Sequence, residues 1–186
     1  MKARGERWCA MTVSEPLASC LAHTVLADYE SWLGRPSPTA LSVFLDGARR
    51  RASFTNPDFS LWRIYGPLDD PEFYLPLVAD TGHPKLTIKW AYALEFTHFS
   101  RSEAMRTLQR RVVDWCASHE PDASAVGARE GGPPNFATFW KALAKRPGMY
   151  LGTSSGEALY DYLKGMRHGG DWLGLPPWDG LDKLME

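Results

Sequence analysis

The most regular hydrophobic pattern in the chain runs through residues 85–96, KLTIKWAYALEF. An apolar side chain stands at every second position, and smaller or polar side chains stand between. The alternating apolar residues are Leu86, Ile88, Trp90, Tyr92, Leu94 and Phe96. Because successive side chains of a strand point to opposite faces, this period of two predicts a β-strand with one buried face.

Two shorter segments before it have a similar character and predict two further strands, at 60–67 and 73–79. The segments are separated by turn-forming residues at 69–71 (Asp-Asp-Pro) and 80–84 (Asp-Thr-Gly-His-Pro). Connections this short predict an antiparallel meander with one apolar face. Pro76 lacks a backbone N–H, so the second strand is expected at an edge of the sheet.

Three segments with helical periodicity surround the predicted sheet. Residues 15–33 carry an apolar stripe that ends at Gly34, and a second helix begins at Ser37. That second helix is expected to end in the basic run 49–51. The helix dipole stabilises basic residues in a last turn, and a contact with phosphate or an acidic partner is the alternative explanation. The third helix follows the capping-box pattern Ser100–Glu103.

Helical stripes and a one-sided sheet bury each other most economically when they pack together, so the sequence predicts an α+β fold. We expect residues 1–12 to form a disordered tail and residues 13–118 to form the core domain. Residues 119–134 are small, polar and rich in Gly and Pro, as in a linker. Residues 135–186 then predict an appended helical hairpin and a Trp/Pro-rich tail.

The bulk composition indicates a globular cytoplasmic protein. The chain has 186 residues, 44% of them hydrophobic and 23% charged, with a net charge of −1 that gives no reason to expect nucleic acid. The three cysteines are widely spaced, which predicts reduced thiols rather than a disulfide framework. We expect no signal peptide and no membrane span, and either Met1 or Met11 as the native start.

An internal repeat relates two segments at a constant offset of 118 residues. Trp32-Leu33-Gly34 matches Tyr150-Leu151-Gly152, and Ser37 matches Ser155. Further matches pair Ala40-Leu41 with Ala158-Leu159, Phe44-Leu45 with Tyr162-Leu163, Gly47 with Gly165, and Arg49 with Arg167. The pattern predicts a helix, a glycine-terminated turn and a serine-capped second helix, unless the match is a coincidence.

Reactive side chains do not assemble into a recognisable catalytic or metal-binding motif. His98 follows a predicted strand near Glu95 and Ser100, and an unrecognised enzyme would use that histidine as a base. A capping or surface role is the simpler interpretation of a histidine at the end of a strand. We therefore predict a non-enzymatic protein with no cofactor, no metal site and no catalytic residues.

Binding is better supported, because tryptophan and tyrosine are frequent interface anchors. Trp172 and Trp178 lie in the C-terminal tail, where they either contact a partner or clamp the tail to the core. The acidic run of Asp69, Asp70 and Glu72 is a second candidate surface, which would complement a basic partner such as a nuclease. As a hairpin loop, the same residues are also good turn formers.

Residues 145–152, KRPGMYLG, resemble the KRPGMYIG segment of the ATP-binding domain of the DNA gyrase B family. That family then holds its nucleotide with a helix carrying Glu and Asn and with an Asp-x-Gly-x-Gly loop. Neither element follows in this sequence. We therefore interpret this match as a coincidence and reject an ATPase.

A longer resemblance starts at Phe139-Trp140 and continues through RPGMYLG. It also includes Ser154-Ser155, Ala158-Leu159, Tyr162-Leu163 and Gly165. It is similar to the opening of small bacterial immunity proteins of polymorphic-toxin and contact-dependent-inhibition systems. The resemblance implies a protein that binds a toxin domain encoded nearby and occludes its active site. An interaction module of a phage or mobile element, or an assembly subunit, is the alternative.

Overall fold

The computed structural model describes residues 20–55, 59–79, 90–119 and 136–175, and within those ranges the chain is helical, with no β-strand. The first helices are α1 (Leu21–Ala27), α2 (Tyr29–Leu33), α3 (Pro38–Thr55), α4 (Trp62–Tyr65), α5 (Pro71–Ala79) and α6 (Trp90–Thr97). The later ones are α7 (Arg101–Ser118), α8 (Phe136–Lys145), α9 (Pro147–Leu151), α10 (Gly156–Lys164) and α11 (Gly170–Trp172). A 3-10 turn (Gly66–Asp69) follows α4, and a π-helical turn (Gly165–Gly169) joins α10 to α11.

The predicted α+β class is therefore wrong, and the third predicted strand shows why. Residues 90–97 of that segment form α6, while residues 85–89 lie outside the described ranges. In α6, Trp90, Ala91 and Leu94 are buried, whereas Tyr92 is exposed. The strand prediction placed Ala91 and Ala93 on the solvent face. In the structure both small side chains are buried and complete the apolar stripe of a helix.

The other two predicted strands are also helical. Residues 60–67 contribute α4 and the start of the 3-10 turn, and residues 73–79 belong to α5. Phe73 and Leu77 are buried one helical turn apart, and Leu75 between them is 55% exposed. A strand would have placed all three on one face, so the burial pattern itself has the period of a helix.

The predicted helix starts are confirmed where the structure describes them. Ser37 precedes α3, and the Ser100 Oγ accepts a hydrogen bond from the backbone N–H of Glu103 at 3.1 Å. Two predicted bounds need correction. The segment 15–33, described from residue 20, is interrupted at Asp28, and α3 continues past the basic run 49–51 to Thr55.

The repeat corresponds to a repeated structure. Gly34 and Gly152 end α2 and α9 in the left-handed conformation, with φ of 76° and 70°. Three residues later, the hydroxyl of Ser37 accepts from the backbone N–H of Ala40, and that of Ser155 accepts from Ala158, both at 3.1 Å. Each copy is thus a short helix, a glycine turn and a serine-capped helix, as predicted.

The two copies pack on each other through their glycines. The α-carbon of Gly165 lies so close to α3 that an added Cβ would overlap the carbonyl oxygen of Phe44. A Cβ at Gly47 would likewise overlap the carbonyl oxygen of Tyr162, which is the counterpart of Phe44. The two contacts are equivalent under exchange of the two copies: the glycine of each copy faces the carbonyl of the matching aromatic residue in the other. This reciprocity is that of an isologous interface.

Two hydrophobic clusters lie on either side of α3. The larger one joins α3 to α1, α2 and α4–α7, with Phe44, Leu45 and Met105 fully buried. The smaller one contains Val43 of α3 together with side chains of α8–α10 and the π-turn. The C-terminal hairpin is therefore docked on the same helix that organises the N-terminal part.

We predict that Gly165→Ala and Gly47→Ala each lower the free energy of unfolding by at least about 2 kcal/mol, since a methyl group here must displace the backbone of the facing helix. Urea titration followed by circular dichroism measures this change. Gly156→Ala in α10 is the matched control, because a Cβ there meets nothing within 4 Å. A loss at Gly165 no larger than at Gly156 would contradict the close helix contact.

Candidate functional site

The three acidic residues that the sequence grouped as a binding surface have different local roles in the structure. Asp70 caps α5, since its Oδ1 accepts a hydrogen bond from the backbone N–H of Glu72 at 2.8 Å. Glu72 lies exposed in the first turn of that helix, where the helix dipole stabilises a carboxylate. Asp69 instead lines a groove between helices. Their role toward a partner stays a prediction.

Trp172 lies half-buried against the larger hydrophobic cluster. The guanidinium of Arg63 stands 6.0 Å from the centre of its indole ring. This packing corresponds to the clamping alternative for Trp172, and a direct role in binding stays a prediction. Trp178 lies outside the described residues.

One cleft between the helices has a volume of about 510 Å³, and we call it the aromatic groove. Its walls come from α3, α4, the following 3-10 turn, α5, α6, α9 and α10. Its aromatic, sulfur-containing and arginine side chains are Tyr65, Tyr74, Trp90, Tyr150, Tyr162, Met149, Arg49 and Arg50, and its other residues are Ser42, Asp46, Leu61, Leu68 and Asp69. Aromatic residues, Met and Arg are the types enriched in protein interfaces.

Hydrogen bonding and burial fix the protonation of the groove. The hydroxyl of Tyr65 donates to Asp46 Oδ1 at 2.7 Å, and burial raises the pKa of Tyr65 well above its ordinary value. Burial also raises the pKa of Tyr162 to about 12 and moves the pKa of Asp69 upward. Both phenols therefore stay protonated near neutral pH, and the Tyr65 hydroxyl is already engaged as the donor to Asp46.

A second, smaller cleft has a volume of about 220 Å³ and lies where the two repeat turns meet, and we call it the hairpin cavity. Arg35, from the first turn, forms an ion pair with the buried Asp161 of α10. The other lining residues are Ser37, Thr39, Ala40, Val43, Tyr92, Glu95, Arg101, Thr153, Ser155, Glu157 and Ala158. The cavity thus combines two helix starts with carboxylates and arginines.

Glu95 accepts hydrogen bonds from the start of α3 rather than pairing with His98. Its Oε1 accepts hydrogen bonds from the Ser37 hydroxyl at 2.6 Å and from the Thr39 backbone N–H at 3.2 Å. The Nδ1 of His98 lies 2.9 Å from the carbonyl oxygen of Leu94, one turn back in α6. His98 thus contacts a carbonyl at the end of α6, and Glu95 caps the start of α3. This is in line with the capping interpretation of His98.

Sequence reasoning missed most of the groove and all of the hairpin cavity. Met149 and Tyr150 belong to the RPGMYLG segment, whose pattern indicates a family resemblance but no contact. Arg49 and Arg50 belong to the basic run that the sequence predicts in a last helical turn, whereas α3 continues to Thr55. No sequence signal indicates that these two arginines line the groove.

Comparison with known proteins gives no relative: no family model, no curated protein and no solved structure matches the chain. In the described ranges, no three His, Cys, Asp or Glu side chains are grouped closely enough to hold a metal ion. No helix within those ranges is long and apolar enough to cross a membrane.

Burial raises the pKa of Asp161 to about 6, despite the opposing attraction of Arg35 and Lys164, while Glu157 pushes it further upward. The folded protein therefore holds a proton at Asp161 that the unfolded chain, with an ordinary pKa of 3.8, releases at lower pH. The contribution of Asp161 to stability is complete below that ordinary value and is lost as pH rises through 6.

We predict that this loss is absent in Asp161→Asn. Across the interval between pH 4 and about 6, the free energy of unfolding of the wild type should fall relative to that of the variant. Urea titrations of both proteins at several pH values measure the difference. A constant difference across this interval would show that Asp161 titrates normally in the folded protein.

Proposed function

We propose that this chain is a non-catalytic binding protein, of the immunity type, that neutralises a toxin domain encoded nearby. The aromatic groove is the proposed contact surface, and toxin neutralisation follows from occluding the toxin's active site. The proposal joins two lines of support: the resemblance of residues 139–165 to immunity proteins, and the composition of the groove.

The observation that carries the proposal is the placement of the RPGMYLG segment at the groove. Met149 is 73% exposed and lines the groove, next to Tyr150. An exposed methionine beside tyrosines and arginines provides apolar contact area together with hydrogen-bond donors. A segment that carries the resemblance thus contributes to a cleft whose side chains suit a protein partner.

Several polar groups of the groove already have structural partners, which favours binding over catalysis. Asp46 accepts the hydrogen bond of Tyr65, and the arginine guanidinium of Arg50 lies 5.2 Å from the ring centre of Phe139. The phenols are held protonated by burial. A general base near neutral pH needs an acceptor atom that is free to take up a proton.

The test starts with an inactivated C-terminal domain from the adjacent upstream gene. Size-exclusion chromatography with light scattering should show a stable complex with the wild type, and titration calorimetry should give its Kd. We predict that Met149→Ser weakens the complex at least about tenfold, because it removes an exposed apolar anchor.

Leu75→Ser is the matched control. Leu75 is also a large exposed side chain, at 55%, but it lies outside the lining of the groove. Equal weakening by both variants, or by neither, would contradict the assignment of the groove. The absence of any complex with the wild type would contradict the immunity assignment itself and favour an assembly subunit.

A further inference from the structure

The hairpin cavity contains hydrogen-bonding atoms with no partner among the described residues. Asp161 is 1% exposed, and only its Oδ2 is engaged, by Arg35. Its Oδ1 is buried with no hydrogen bond, and so is the Oγ1 of Thr39 on the facing helix start. Buried polar atoms are rarely left without a partner in folded proteins, so a cavity lined by two of them lacks a donor.

The charges around the cavity specify the sign of that missing group. Glu95, Glu157 and Asp161 face Arg35 and Arg101 across it. Arg35 is shared between two carboxylates, since it pairs with Asp161 and lies 3.7 Å from Glu157. Arg101 is 62% exposed and reaches Glu95 at only 3.8 Å. Glu157 is 76% exposed, and Asp161 is the buried carboxylate of the three. The three carboxylates outnumber the two arginines, so the lining favours a positively charged group.

Two helices begin at this cavity, and helix starts often bind anions. This cavity is nevertheless a poor anion site. Three of the first-turn N–H groups that could hold it are already engaged: those of Ala40 and Ala158 by the serine caps, and that of Thr39 by Glu95. An anion here would also lie beside the carboxylates of Glu95, Glu157 and Asp161. A metal ion is also poorly served, because no suitable group of three ligating side chains lies within the described ranges. A cation with several N–H donors is complementary both to the unpartnered oxygen atoms of Asp161 and Thr39 and to the carboxylates that line the cavity.

We propose that the hairpin cavity binds an organic cation of the guanidinium or ammonium class. Its N–H groups donate to Asp161 Oδ1 and Thr39 Oγ1, and its charge is balanced by Glu95 and Glu157. The volume of about 220 Å³ accommodates a group of this size. The source is either a free small molecule or an arginine or lysine side chain of a protein. This inference does not depend on the aromatic groove.

The test uses the full chain and three probes: methylguanidinium, methylammonium and the neutral methylurea. Titration at pH 7.5, followed by NMR chemical shifts of residues around the cavity, should show saturable binding of at least one cation. Methylurea should bind at least about tenfold more weakly, because it lacks the charge. Comparable binding of methylurea, or no saturable shift with either cation, would overturn the proposal.

Thr39→Val removes the unpartnered hydroxyl while keeping the shape of the side chain, and should weaken cation binding about tenfold. Thr107→Val, a partly exposed threonine of α7 outside the cavity, is the matched control and should bind as the wild type does. Thermal melting of both variants verifies folding. Equal affinity of Thr39→Val and wild type would contradict the predicted donor geometry.

A fourth probe distinguishes the two sources. Acetyl-Gly-Arg-Gly-amide presents the guanidinium as a protein side chain does. Binding at least as tight as that of methylguanidinium indicates the side chain of a partner protein. Exclusion of the peptide, with retained binding of methylguanidinium, indicates a free small molecule. Either result supports the cation site, and Asp161→Asn should abolish binding in both cases.

Discussion

The backbone contact between α3 and the helix formed by α10 and the π-turn organises the aromatic groove and the hairpin cavity. At Gly47 and Gly165 the two helices approach with no side chain between them, each glycine against a carbonyl of the other helix. This closeness brings the two helix starts to one end of the crossing, where they line the hairpin cavity. It also places Tyr162 against the wall of α3 that carries Asp46 and Arg50, which is one side of the aromatic groove.

Features governed by local chemistry were predictable from the sequence. The glycine turns and serine caps at Ser37, Ser100 and Ser155 each depend on residues within a few positions, and the structure has them where they were expected. The repeat was visible because its small residues recur at a fixed offset. The sequence did not indicate that Gly47 and Gly165 are the points at which the two copies approach each other.

Features that depend on which neighbour buries a residue were not predictable in the same way. The alternation in residues 90–96 is compatible with a strand, but Ala91 and Ala93 are buried together with Trp90 and Leu94. A small apolar residue is consistent with either face of a strand or helix, so the period was ambiguous until packing decided it. Both clefts combine residues from distant segments, and no local pattern connects Thr39 to Asp161 or Asp69 to Met149.

The reciprocal glycine contact has the form of a symmetric dimer interface, but both of its halves belong to one polypeptide. A dimer held by such a contact dissociates on dilution, because its association depends on protein concentration. Here the connecting chain sets a local concentration that dilution does not change. The clefts built around the crossing therefore stay assembled in a cell that makes only a few copies of the protein.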